Sequence, residues 1–254
     1  MTISAHSKRI ITAAMLLSPF VVCPSYAQTS APVMLKGNYV LAEDGPAATS
    51  LALLTFSGTG TITGTEIVQA TNPPVTYAVA GTYTVNADNT GALSLNGTSA
   101  ATDANGNPLT WNENLTFVTT PTGELATMRV DAGFYATGKL VTAGAAEAKG
   151  SYVLAGPAND PSLVLVGVLN LDGVGNVAGT EILNSFGITN HLSAAGTYNG
   201  TPGGFQTLTI YSQGTDSNGN PIDVTESYAF LATQSDLRMV RTDGGPRGIV
   251  TLTQ

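Results

Sequence analysis

Four glutamates stand in strand-like segments at positions that alternate with apolar residues. Glu113 lies in LTWNENLTFV, where tryptophan, leucine and phenylalanine occupy the same alternate positions, and Glu226 lies in the matching DVTESYAF. Glu66 and Glu181 follow the same rule in two segments that share the letters GTEI. Because successive side chains of a strand point to opposite faces, each glutamate is predicted to share the apolar, inner face. We therefore expect two inward carboxylates in each half of the chain.

A carboxylate on an inner face needs a partner, because burial without one raises its pKa. Arg129 and Arg241 are the arginines that stand at matching places in the two halves. We therefore predict an internal network of the glutamates with these arginines. Three interpretations of the network are open: ion pairs that fix strand register, contacts to one small ligand inside a barrel, and paired carboxylates that act as acid and base, for example on a sugar.

Each half also contains a Gly-Thr-Tyr segment, which ends at Tyr83 in the first half and at Tyr198 in the second. The tyrosine ring either packs in the core or stacks on a ligand, and both interpretations place it on the inner face. Tyr83 and Tyr198 therefore complete the set of candidate ligand-binding or network residues.

Motifs for cofactors, metals and nucleophilic catalysis are missing from the sequence. It contains no Gly-rich phosphate loop that leads into a helix, no nucleophile elbow and no cluster of histidine and cysteine. The segments DANGN at Asp103 and DSNGN at Asp216 carry oxygens at alternate positions, as calcium loops do, but lack the downstream glutamate of such loops. They are predicted as hairpin turns, with calcium binding left open. We expect no catalytic residue, no cofactor, no metal and no enzyme activity.

These residues recur because the chain repeats itself. Four blocks occur twice in the same order, with offsets of 113 to 115 residues: GNYVLA with GSYVLA, GTEI twice, AGTY twice, and the DANGN and DSNGN segments with the strands that follow them. RVD at Arg129 then matches RTD at Arg241 with an offset of 112. Blocks in one order with a small drift in offset indicate a duplication with loop insertions. A unit of about 100 residues has the usual size of an independent domain.

Turn clusters rich in glycine, proline and asparagine recur along each unit and separate short runs rich in threonine, valine and tyrosine. This pattern predicts about eight strands per unit and no helix after the first 27 residues. The predicted fold is all-β, with two tandem antiparallel up-and-down eight-stranded barrels, and β-sandwiches are the alternative. The predicted boundaries are an N-terminal tail at 28–36, a first barrel repeat at 37–141, a linker at 142–149 and a second barrel repeat at 150–254.

The first 27 residues are predicted to be a signal peptide. Lys8 and Arg9 precede an apolar stretch that is too short to span a membrane, and small residues then stand before a cleavage site at Ala27. Cleavage would remove two basic residues and no acidic one, so the net charge would change from -8 to -10. We expect a secreted, periplasmic or extracellular protein without an integral membrane span. Its acidity disfavours nucleic acid as a partner.

A Gly-x-Tyr motif at Gly37 and Tyr39 opens the first predicted strand, and Arg129 stands near the last. The second half repeats the pattern with Gly150, Tyr152 and Arg241. This pattern resembles the lipocalin-like (calycin-type) barrels, in which Gly-x-Trp and a late arginine lie together at the closed end. The resemblance implies an up-and-down barrel in which these three residues meet, with tyrosine in place of tryptophan.

The turns DGVGN, at Asp172, and GTY are similar to those of uncharacterised secreted bacterial repeat proteins. That similarity implies a location outside the cytoplasm and no particular activity. We therefore expect a secreted or cell-surface, non-catalytic binding or interaction module whose partner is a small molecule or a cell-surface component. The alternatives are a structural envelope or matrix component and a carboxylate-dependent, glycosidase-like enzyme that pairs Glu66 with Glu113 and Glu181 with Glu226.

Overall fold

The structure is a computed structural model that describes residues 34–120, 123–132, 134–144, 147–156, 163–185 and 187–254. The predicted signal peptide lies outside these residues, as does most of the predicted tail. Within the described ranges the chain forms strands and turns, and no helix there has the length and apolarity that a membrane crossing requires. The all-β prediction is therefore confirmed.

In the described part of the chain, sixteen strands form two closed barrels of eight. Barrel 1 consists of β1 (Lys36–Asp44), β2 (Thr49–Ser57), β3 (Thr61–Gln69), β4 (Val75–Val85), β5 (Thr90–Thr102), β6 (Pro108–Thr119), β7 (Leu125–Arg129) and β8 (Thr137–Thr142). Barrel 2 consists of β9 (Lys149–Gly156), β10 (Leu163–Asp172), β11 (Asn176–Ser185), β12 (Ile188–Gly200), β13 (Gln206–Thr215), β14 (Pro221–Ala232), β15 (Asp236–Arg241) and β16 (Ile249–Thr253).

Each strand pairs antiparallel with its neighbour in sequence, and the first and last strands of each unit close the ring, β8 on β1 and β16 on β9. Up-and-down barrels are thus the correct choice over sandwiches. The predicted linker falls between β8, which ends at Thr142, and β9, which begins at Lys149. Whether the two units fold as separate domains stays a prediction.

The DANGN and DSNGN segments are tight hairpin turns at equivalent places, before β6 and before β14. The Asp103 carboxylate accepts hydrogen bonds from the backbone N–H of Asn105 at 2.8 Å and of Asn107 at 2.9 Å. Gly106 has a φ of 81°, a conformation that glycine adopts at no steric cost. These hydrogen bonds hold the pKa of Asp103 below its usual value, the bond from Asn107 most of all. The carboxylate oxygens thus cap the turn itself.

One end of each barrel, which we call the tyrosine end, is closed by a tyrosine. The Tyr83 hydroxyl donates a hydrogen bond to the Leu35 carbonyl at 2.5 Å, and its ring meets Phe56 edge to face at 5.0 Å. In barrel 2 the Tyr198 hydroxyl donates to the Ala148 carbonyl at 2.8 Å. The tyrosines therefore tie the chain that enters each barrel to the wall of that barrel.

The lipocalin-like expectation that Gly37, Tyr39 and Arg129 meet is wrong. Odd-numbered strands all run in one direction, so Arg129, the last residue of β7, lies at the end of the barrel where β1 finishes. Gly37 and Tyr39 begin β1 and lie at the tyrosine end. The same strand directions separate Arg241 from Gly150 and Tyr152 in barrel 2. We call the end that holds the arginines the arginine end.

Candidate functional site

The structure brings Glu113 and Arg129 together inside the arginine end of barrel 1. Glu113 points inward from β6, and one of its carboxylate oxygens lies 2.8 Å from Nη1 of Arg129. Arg129 also contacts Asp131 through Nε at 2.8 Å and donates from Nη2 to the Asn112 carbonyl at 2.7 Å. The guanidinium thus joins a buried carboxylate to a more exposed one in the loop after β7.

Aromatic rings surround this ion pair. The guanidinium of Arg129 lies over the Trp111 ring at 4.4 Å and over the Phe134 ring at 4.7 Å, distances that suit cation–π attraction. The indole N–H of Trp111 donates a hydrogen bond of 2.7 Å to the same Glu113 oxygen that Arg129 binds. Packing and hydrogen bonding therefore fix both members of the pair.

Glu66 points into the same interior from β3 and is fully buried. The sequence analysis missed a third acid, Glu43, which is buried near the end of β1. The signal was present, because Tyr39, Leu41 and Glu43 alternate along one face of the strand. Comparison of the two halves concealed the acid, because the matching residue is Gly156.

The buried acids of barrel 1 resist ionisation. Burial, and secondly the charge of Glu113, raise the pKa of Glu66 and of Glu43 well above the usual range. Burial also raises the pKa of Glu113, while Arg129 opposes that rise. Among the described residues, neither oxygen of Glu43 or Glu66 makes a hydrogen bond of ordinary geometry, although the nearby Ser50 hydroxyl limits the rise in the pKa of Glu66. We therefore infer that barrel 1 encloses acids that keep their protons more firmly than ordinary glutamates do.

Barrel 2 repeats the ion pair. Nη1 of Arg241 lies 2.8 Å from a Glu226 oxygen, and its Nε lies 2.7 Å from Asp243 in the following loop. Burial raises the pKa of Glu226, and the charge of Arg241 opposes that rise. The ion pair of an inward glutamate, an arginine and a loop aspartate is therefore common to both barrels.

The second inward acid of barrel 2, Glu181, has a better partner than Glu66 has. The Ser212 hydroxyl donates a hydrogen bond to one of its oxygens. Burial raises the pKa of Glu181 to about 7, and the hydrogen bond from Ser212 limits the rise. Tyr228, also buried, has a pKa raised by burial and then by the charge of Glu226.

Tyr83 and Tyr198 do not join these networks, because both belong to the tyrosine ends. The four predicted glutamates are closed to solvent, with exposures of 0% for Glu66 and Glu113 and 1% for Glu181 and Glu226. A pocket of about 290 Å³ lies on the surface at the arginine end of barrel 1, where Asp44, Arg129 and Tyr135 line part of it. It reaches the arginine, and none of the three buried acids lines it.

Within the described residues, no group of three or more histidine, cysteine, aspartate or glutamate side chains is arranged to hold a metal ion. The arrangement can pair charges, keep protons on buried acids and fix strand register. No protein-family model matches the chain, and no curated protein matches it.

Proposed function

We propose that this protein is a secreted, non-catalytic interaction module that binds through the outer surfaces of two packed barrels. The observation that carries the proposal is the burial of all four predicted carboxylates inside barrels filled by apolar side chains. The interior of barrel 1 holds Leu41, Leu54, Phe56, Leu93, Leu95 and Leu115, all nearly inaccessible. A barrel of eight strands is just wide enough for its own side chains to fill.

The enzyme alternative requires a pair of acids that a substrate and a water molecule reach together. Glu66 and Glu113 are closed to solvent, and burial raises the pKa of both. The ligand alternative requires space that Leu54, Leu95 and Leu115 now occupy. The interior therefore supports a structural role for the network, and recognition is assigned to the outside.

The outer surface offers a feature suited to recognition on β9, β10 and β11. Val153, Val164, Val166, Val168 and Ile182 point outward there, and all five are exposed. Register makes them neighbours, since Val168 pairs with Val153 and Val166 with Ile182. We call these five residues the valine face. A contiguous apolar patch on a soluble barrel is typical of an interaction surface.

Secretion is part of the proposal and rests on the predicted signal peptide before Ala27. The predicted mature chain contains no cysteine and is acidic. Outside the cytoplasm such a chain would be stable without disulfides, because the burial of apolar side chains and two closed sheets hold it together.

The test is native mass spectrometry of the protein purified from its own host, together with its retention on the surface of host cells. We expect the mass of the mature chain with no bound small molecule. We also expect retention on cells to fall at least tenfold for Val166→Glu and to persist for Tyr211→Glu, a somewhat more exposed position on β13. A co-purified small molecule that Glu113→Gln loses would overturn the proposal in favour of a ligand-binding barrel.

A further inference from the structure

The two barrels of one chain pack through faces that are not equivalent. Barrel 1 contributes the outward residues of β1, β2 and β3, which we call its first-strand face: Val40, Ala42, Leu51, Leu53 and Ile67. Barrel 2 contributes outward residues of β14, β15 and β16, which we call its last-strand face: Ala229, Leu231, Val240 and Ile249. The interface is therefore asymmetric, the beginning of one unit against the end of the other.

This contact is a packed interface and not a loose approach. Val40, Leu51 and Val240 are inaccessible although all three point away from the barrel interiors. Polar groups close its rim. The Gln69 amide donates to the Gly245 carbonyl at 3.1 Å, and Arg247 donates to the Ala47 carbonyl at 3.2 Å. The faces thus combine an apolar centre with hydrogen bonds at the edge, as stable interfaces do.

Because the chain is a duplication, each barrel carries both faces, and one of each is left outside the internal contact. The first-strand face of barrel 2 is the valine face. Val153 stands where Val40 stands in barrel 1, Val166 matches Leu51, and Ile182 matches Ile67. Their exposed fractions are 57%, 42% and 37%, against 0%, 0% and 9% for their counterparts. Matching apolar side chains are thus buried in barrel 1 and exposed in barrel 2.

The last-strand face of barrel 1 is the second surface left over. Val118 matches Leu231 and Met128 matches Val240, and these two side chains are 48% and 54% exposed. They border a groove of about 500 Å³ on the outer wall, which Ala92, Thr116 and Ala126 also line. A groove beside exposed apolar residues can accept an apolar face from another molecule.

We propose that copies of this chain assemble head to tail, with the valine face of one copy packed on the last-strand face of barrel 1 of the next copy. The contact repeats the internal barrel–barrel contact between molecules. This inference rests on the proposed function and names the partner of the same outer surface. Since the two faces differ, the contact is heterologous, and it builds rows or closed rings of molecules in place of a two-fold dimer.

The composition of the faces favours a second copy over a charged partner. The outward residues of β9 and β10 from Ser151 to Ala155 and from Val164 to Asn170 include no charged side chain. A contiguous exposed apolar face of this kind marks an interaction with another apolar surface. The receiving face is less apolar than its buried counterpart, because Thr137 stands where barrel 2 has Ile249. Assembly should therefore depend on concentration.

The experiment is sedimentation velocity of the mature chain, residues 28–254, over a wide range of concentration. We expect the mass of the wild-type protein to rise with concentration past that of a dimer. Val166→Glu and Met128→Glu each remove one face, and each variant alone is expected to be monomeric. An equimolar mixture of the two variants should form a dimer and stop there, since only one intact pair of faces is present. Tyr211→Glu is the matched exposed control and should assemble as the wild type does.

Disulfide trapping gives a second readout, because the predicted mature chain has no thiol of its own. Within one chain β2 contacts β15, and Val166 and Met128 are the counterparts of Leu51 and Val240 on those strands. Mild oxidation should therefore cross-link a Val166→Cys chain to a Met128→Cys chain at least tenfold more than to a Tyr211→Cys chain.

Three results would overturn the head-to-tail assembly: a wild-type protein that stays monomeric, a Met128→Glu variant that still assembles, or a mixture that fails to dimerise. The circular dichroism and Trp111 fluorescence of each variant establish that it is folded. A monomeric wild type that is still retained on host cells through Val166 would refute self-assembly and leave the proposed function standing. A small molecule held inside a barrel would refute the proposed function itself.

Discussion

The two barrels share an ion pair and differ in what surrounds it. In both, an inward glutamate binds an arginine that also binds a loop aspartate: Glu113, Arg129 and Asp131 in barrel 1, and Glu226, Arg241 and Asp243 in barrel 2. Both barrels also close one end with a tyrosine hydroxyl. The ion pair and the tyrosine closure thus recur in both copies although their neighbours differ.

The side chains that surround the ion pair differ between the two barrels. Barrel 1 has the additional acid Glu43 and places Gly97 where barrel 2 has Ser212, the donor to Glu181. Barrel 1 thus encloses one more acid, and its donor is placed differently, because Trp111 donates to Glu113 there while Ser212 donates to Glu181 in barrel 2. In barrel 1 the guanidinium of Arg129 also lies over the rings of Trp111 and Phe134. One scaffold therefore tolerates two balances of buried charge.

The largest expected difference between the barrels concerns the arginines. Arg129→Met removes the cation beside Glu113 and leaves it buried near two other acids, so we expect a loss of about 3 to 5 kcal/mol in unfolding free energy at pH 7. Arg241→Met should cost less, because barrel 2 has one acid fewer and Ser212 stabilises Glu181. Trp111 is the only tryptophan of the chain, and its fluorescence reports on barrel 1 during denaturation by urea.

Denaturation followed by both circular dichroism and Trp111 fluorescence shows which barrel each variant destabilises. Circular dichroism follows both of them, so Arg241→Met should shift the dichroism curve and shift the Trp111 curve less. Arg129→Lys serves as a control, since it keeps the charge and loses the planar fork that binds two carboxylates. An equal loss for both methionine variants would show that the additional acid and the missing donor of barrel 1 carry no energetic weight.

Much of this fold follows from period-two patterning and from the repeat. The alternation around Glu113 and Glu226 predicted their inward direction, and matched turn segments predicted closed units of eight strands. The position of Arg129 relative to Tyr39 was predicted wrongly, because a motif of three residues carries no information about strand direction.

The contact between the barrels could not have been predicted from local sequence. Val40 and Val153 occupy the same position in nearly the same hexapeptide, and one is buried while the other is exposed. Their difference arises from which barrel lies next to them, which is a property of the whole chain. Glu43 was missed for a different reason. Its alternation with Tyr39 and Leu41 indicates an inward side chain, but the matching residue in barrel 2 is a glycine.

The second-largest effect that we expect is a fall in the free energy of unfolding as the pH rises. Burial raises the pKa of Glu181 from 4.5 to about 7, so the folded state holds a proton that the unfolded state releases. Stability from this group is full below pH 4.5 and is lost between pH 4.5 and about pH 7. At 1.36 kcal/mol per pKa unit the loss is about 3 kcal/mol. Glu43 and Glu66 act in the same direction, because their pKa values are also raised.

Urea denaturation at a series of pH values measures this slope. In that range the folded wild type binds about one proton more at Glu181 than the unfolded chain does, and Glu181→Gln should remove this difference. The variant should therefore be more stable than the wild type at pH 8. Asp131 and Asp243 act oppositely, because their pKa values are lowered, and they cost stability only as the pH falls below about 4. A stability that rises steadily from pH 5 to pH 8 would contradict the buried, protonated acids.

The smallest effect concerns the Ser212 hydroxyl, at the position that Gly97 occupies in barrel 1. Ser212→Ala removes the donor to Glu181, and we expect a loss of about 1 kcal/mol below pH 5, where the acid is protonated. The loss should grow to about 2 kcal/mol above pH 8, because hydrogen bonds to a charged acceptor are stronger. Thr209→Ala on the same strand, a half-exposed residue, is the matched control for loss of a hydroxyl. If the loss is independent of pH, Ser212 does not hold the ionised form of Glu181, and Gly97 then cannot explain why the pKa of Glu66 is raised so strongly in barrel 1.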